Sequence, residues 1–174
     1  MTMDFADGLT RWTVRLSLGC YVVALALLLG GRDSRRSRRD AIARGTWTLG
    51  CGLLLVHVAA AFHFFHDWRH ADAYRETARQ TEELLGWNWG GGLWFNYIFA
   101  LLWAADAAWW HWAGDQRYRH RGRWIALPLH AYLAFIAFNA TVVFETGATR
   151  WLSVAAMLGL AVLWWRAGRG IPSA

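Results

Sequence analysis

The stretch HVAAAFHFFHDWRHADAYRETARQTEELLGWNWGGGLWFNY, His57 to Tyr97, holds the residues best able to do chemistry. Within it His63, His66, Asp67 and His70 recur at helical spacing. Neutral imidazoles and carboxylates are the usual ligands of Zn, Fe, Cu and Mn. No glycine or proline lies between Gly52 and Gly86, so nothing local forces a helix to stop. At roughly 100° per residue the four side chains fall within about a third of the circumference. Two or three of them could then reach one transition metal ion. Tyr74, Thr77 and Thr81 continue the same stripe.

The elements that must carry these residues are membrane spans. The chain has 174 residues, 56% of them hydrophobic, and 14 Trp. Apolar runs of about 18 or more residues are membrane-span candidates. Five are expected, at about 12–30, 47–66, 93–113, 125–145 and 151–166. The fold class is therefore all-α: one membrane domain, residues 1–174, with five spans and an outer helical segment at about 67–85.

Charge sets the expected orientation. The net charge is +6, and all 18 basic residues are Arg. Arg32, Arg35, Arg36, Arg38, Arg39 and Arg44 follow the first run; Arg117, Arg119, Arg121 and Arg123 follow the third. Arginines in short loops between spans mark the cytoplasmic side, so this balance points to topology and not to nucleic acid. The N-terminus is then outside, the His cluster at the outer face and the C-terminus in the cytoplasm. The Arg, Ala, Gly and Trp bias fits a GC-rich genome, and the expected location is a bacterial inner membrane. Cys20 and Cys51 both lie in spans at different depths and read as small packing residues.

Segment 67–85 is helical but too polar to span. Arg79 sits at pairing distance from Glu76, Glu82 and Glu83. Ala71, Tyr74, Ala78, Leu84 and Leu85 give it a weak apolar face. Either the second span projects outward as one long helix, or it breaks near Asp67–Asp72 and the segment lies on the membrane, with Asp72 as N-cap. Gly86 is a natural stop. The Trp- and Gly-rich turn after it suits an interfacial aromatic belt.

Polar groups inside a bilayer are costly and usually face the protein interior. At 1.5 Å per residue, His63, His66, Asn96 and Glu145 share one layer, roughly 24–30 Å from the inner edge. Glu145 could complete a ligand set with His63, His66, His70 and Asp67, and Asn96 could orient a ligand. A second layer holds His57, Asp106 and His130. Asp106 with His130 could hold a proton or pin two spans together. A bis-histidine haem needs two histidines at matching depth. His57 with His130, and His111 with His130, do not match, so no haem is expected.

Three functions are compatible with this pattern. One is a metal-binding membrane protein, an oxidoreductase or hydrolase, with one Zn, Fe, Cu or Mn at the outer cluster. Another is a non-catalytic subunit that packs against membrane-protein partners, further copies of itself and lipid. The last is proton or ion passage along the outer layer, His57, Asp106 and His130. The pattern resembles no known family's motif: HxxHDxxH lacks the spacing of the membrane desaturase His boxes.

Overall fold

The computed structural model describes residues 2–30, 36–143 and 147–169. Among these residues there are six helices and no strand. They are α1 (Thr2–Leu29), α2 (Arg36–Phe65), α3 (His70–Leu85), α4 (Gly92–Arg119), α5 (Arg123–Phe138) and α6 (Gly147–Arg169). A π-helical turn, Asn139–Val143, continues α5. Four stretches are long and apolar enough to cross a membrane: Met3–Leu29, Ser37–Phe65, Arg123–Val143 and Gly147–Ala167. That composition is consistent with an integral membrane protein. The 28-residue α4 is not among the four. It carries Asn96, Asp106, His111 and five Trp, which lower its hydropathy.

α1 and α2 form an antiparallel hairpin. Phe5 meets Phe64 with ring centroids 6.4 Å apart, and Tyr21 meets Trp47 at 5.6 Å. Between those contacts His57 Nδ1 donates to the Thr10 carbonyl at 2.9 Å, and Ser17 Oγ donates to the Gly50 carbonyl at 2.7 Å. A Cβ on Gly50 would lie 2.9 Å from both Cys20 Cβ and the Trp103 ring. Glycine here lets α1 and α4 close on α2. The N-terminal residues before the first apolar run are part of α1, where Arg11 pairs with Asp7 at 3.0 Å. Cys20 and Cys51 are free.

α4 runs antiparallel to α2 along its length. Trp103 packs on Trp47 at 5.1 Å, and Asp115 pairs with Arg44 at 2.8 Å. Arg119 Nε donates to Asp40 at 2.7 Å. These ion pairs bring the two arginine-rich segments to one end of the bundle, here called the basic end. Trp47, Trp103 and Trp110 are completely buried and form the core with Tyr21, Phe99 and Leu133. Buried aromatics of this size dominate core energetics.

At the basic end the chain folds back into the bundle. Gly114 has φ 77°, a left-handed value that breaks α4. The kink lets Tyr118 stack on Trp110 at 3.8 Å, nearly coplanar. Tyr118 Oη donates to Asp106 Oδ2 at 2.7 Å, and Arg121 pairs with Oδ1. The Arg121 guanidinium lies 4.1 Å above the Tyr118 ring and also donates to His130 Nε2. Sequence reading placed Arg121 in a solvated loop. Its side chain is instead 4% exposed, and that of Asp106 2%.

Asp106 and His130 therefore do not pair directly, as the sequence suggested; Arg121 stands between them. Removing one partner of a buried ion pair leaves an uncompensated charge, at a cost of about 3–5 kcal/mol. Asp106→Leu is expected to destabilise the protein by about that much. The double variant Asp106→Leu, Arg121→Met is expected to recover most of the loss. Equal losses in denaturant titrations in mild detergent would contradict this account.

Candidate functional site

The helix that carries the histidines ends at Phe65. Asp67 and Trp68 both adopt left-handed backbone, with φ 46° and 59°. Such values are uncommon for side chains other than Gly, Asn and Asp, and they turn the chain sharply. Two backbone hydrogen bonds close the turn, Trp68 N–H to the Phe62 carbonyl at 3.0 Å and Arg69 N–H to the His66 carbonyl at 2.7 Å. The chain breaks near Asp67, as in the second of the expected alternatives, and α3 is a separate helix. Its N-cap is Arg69 and not Asp72, which sits in the first turn and accepts from Arg69 Nε at 2.6 Å. Gly86 ends α3 in left-handed conformation, as expected.

The break dissolves the single-face stripe. His63 stays on the last turn of α2, exposed, edge-on to Phe64 at 4.7 Å. Asp67 is exposed in the turn. His70 opens α3 and hydrogen-bonds Tyr97 Oη at 3.0 Å, with Trp94 5.0 Å away. Glu145 lies outside the described residues. Among the described residues no three His, Cys, Asp or Glu side chains come together to hold a metal ion. His63, His66, Asp67 and His70 are thus divided among the end of α2, the turn and the start of α3.

What the turn does create is a cavity. α3 folds back over the end of the bundle and covers a space of about 290 Å³. Val14 and Leu18 of α1, Leu54, His57 and Phe62 of α2, and Phe99 of α4 line it. Ile136 and Ala137 of α5 and Ala140 of the π turn close it on the far side. Its polar groups are His57, His66, Glu76, Thr77, Gln80, Asn96 and Tyr97. Three of the residues singled out from the sequence, His57, His66 and Asn96, thus meet here. From the sequence Glu76 reads only as a pairing partner of Arg79, and nothing in the sequence singles out Gln80.

α3 lies close because its docking face is small. Ala73, Ala78 and Thr81 are buried, whereas Tyr74, Leu84 and Leu85 of the expected apolar face are exposed. The glycine-rich turn supplies the other half of the contact. A Cβ on Gly90 would meet the Tyr74 carbonyl oxygen at 2.4 Å and the Tyr74 ring at 2.6 Å.

His57 has a fixed tautomer. The Thr10 carbonyl can only accept, so Nδ1 carries the proton. In the neutral ring Nε2 is then a lone-pair acceptor. On α3 the hydrogen bond from Arg79 holds the Glu76 carboxyl below its ordinary value, reinforced by Gln80 and by the charges of Arg79 and His66, against desolvation. Desolvation would raise the Asp72 carboxyl, but Arg69 and Arg75 outweigh it and keep it low.

Below the cavity floor, Tyr21, Trp47 and Trp103 pack with centroids 5.1–5.6 Å apart. Trp47 also packs edge-on against His130, with centroids 5.7 Å apart. Tyr21 Oη, Trp47 Nε1, Trp103 Nε1 and His130 Nδ1 are buried without a partner among the described residues.

Comparison with protein-family models, curated proteins and solved structures finds no match for this chain.

Two outcomes test how α3 is held. Gly90→Ala overpacks the turn, which costs about 1–3 kcal/mol. It is expected to strip hydrogen-exchange protection from α3 while α2 and α4 keep theirs. Carboxyls whose folded pKa is lowered stabilise above their unfolded value and cease to as pH falls through the folded one. For Asp72 and Glu76, α3 protection is expected to hold at neutral pH and fade as pH drops below about 4. Protection of α3 unchanged by acid would rule out those ion pairs as its support.

Proposed function

We propose that this chain is a five-span integral membrane protein that binds a small molecule in the cavity under α3. The spans are α1, α2, α4, α5 with its π turn, and α6. α4 counts as the fifth because its contacts with α2 run from the α3 end to the basic end. An interior helix needs less apolar surface than one facing lipid, which accounts for its lower hydropathy. The arginine-rich segments meet at one end and α3 lies at the other. By the positive-inside rule α3 faces outward, and the N-terminus with it.

The observation that carries the binding reading is the convergence of five helices on one cavity with a mixed lining. Ligand sites are concave and mostly apolar, with a few polar groups that fix orientation. This cavity has an apolar floor and a polar lip built from residues on α2, α3 and α4. The π turn beside it is of a kind frequent at functional sites. The metal reading loses support from the separation of its donors, and the passage reading from the aromatic layer under the floor.

Cysteine labelling in sealed bacterial cells tests both halves, with Cys20 and Cys51 replaced by Ala. Gln80→Cys and Thr77→Cys are expected to react with a small membrane-impermeant thiol reagent. Ser37→Cys is expected to react only after permeabilisation. Labelling of Ser37→Cys in intact cells would reverse the orientation. An inert Thr77→Cys beside a reactive Gln80→Cys would remove the cavity as a water-reached site.

A further inference from the structure

The lip of the cavity is asymmetric in charge. A second space of about 510 Å³ adjoins it on the outer side of α3, lined by Phe65, His66, Asp72, Glu76 and Gln80. The two spaces share His66, Glu76 and Gln80. Neither lining contains a Lys or Arg. Helix α3 carries Asp72, Glu76, Glu82 and Glu83 against Arg75 and Arg79, while the chain as a whole is at +6. The acidic helix of a basic protein thus lies over its cavity.

An anionic head at this lip would meet Glu76 with no cation in the lining. A cationic head would meet Glu76 and Asp72, with the aromatic residues Phe62 and Phe65 in the linings. Arg79 donates to both oxygens of Glu76, Gln80 Nε2 adds a donor at 2.9 Å, and Arg69 and Arg75 each hold one oxygen of Asp72, so a cationic head reaches these carboxylates by exchange with an arginine. Arg79 is shared between Glu76 and Glu83. Arg69 and Arg75 share Asp72. Exposed ion pairs of this kind are weak and exchange readily. Below the lip, Leu18, Leu54, Phe99 and Ile136 offer only hydrocarbon contact.

We infer that the cavity takes an amphiphilic organic cation, an amine head at the Glu76 lip and a short hydrocarbon body on the apolar floor. This rests on the binding reading above and adds the chemical class of the ligand. His57, with Nε2 as acceptor, is placed to take a hydrogen bond from a polar group carried further down the body.

Three probes with one tail test the head: octylamine, octanol and octanoate. The Thr77→Cys protein, without Cys20 and Cys51, is held in lipid nanodiscs and labelled with a neutral thiol reagent. The readout is how far each probe slows labelling. Octylamine is expected to protect at roughly tenfold lower free concentration than octanoate, with octanol between them. Glu76→Gln is expected to shrink that ratio to about threefold or less. Ala61→Leu, which fills the cavity from α2, is expected to abolish protection by all three. Equal protection by amine and carboxylate, or a ratio unmoved by Glu76→Gln, overturns the cationic head and leaves the cavity standing. No protection by any probe, or protection that survives Ala61→Leu, overturns the binding reading itself.

Discussion

The burial of the Arg121 guanidinium against Asp106 is the interaction on which the rest of the bundle depends. Two charges taken out of water are tolerated only when their mutual geometry is good and further hydrogen bonds meet the ions. Here Asp106 receives Arg121 on one oxygen and Tyr118 on the other, and His130 accepts from the far side of the guanidinium. Satisfying that set requires the chain to kink at Gly114 and return as α5. It also requires Tyr118 to lie flat on Trp110. The lock therefore fixes α4 and α5 together, and the Asp40–Arg119 and Arg44–Asp115 pairs fix α2 to them.

With the basic end closed, the opposite end is free to open. α1 and α2 stay paired up to Phe5 and Phe64, α4 follows α2 as far as Tyr97 and Phe62, and α5 meets α2 lower down, at His130 and Trp47. The space left between them near His57 is what α3 covers. A helix with a bulky apolar face would sit too high to close it. The small face of Ala73, Ala78 and Thr81, with Gly90 against Tyr74, brings it down.

α6 lies at the edge of this arrangement, packed on α1 and the π turn. No residue in its most apolar window is buried, and Trp151, Leu152 and Leu158 are more than half exposed. In water such a surface would be a liability. In a bilayer it is the ordinary lipid-facing side of a span.

The sequence by itself determined that the protein is helical and built of long apolar segments. It also marked which segments carry the arginines, and Gly86 as the end of α3. These follow from local composition and periodicity, which need no partner to be read. It also singled out the polar residues between His57 and Tyr97, and Asp106 and His130 beyond them. Only the tertiary structure decided how they are grouped. The left-handed turn at Asp67 and Trp68 carries no glycine or proline signal, so the histidines read as one stripe when they are not. Arg121 reads as a loop cation, because nothing local shows that Asp106, fifteen residues earlier, is buried and waiting for it. Glu76 reads only as a partner of Arg79 and Gln80 carries no signal, because a lip exists only once five helices surround a space. Helices are local and can be read from neighbours in the chain, whereas a cavity or a buried ion pair belongs to residues that meet only in the fold.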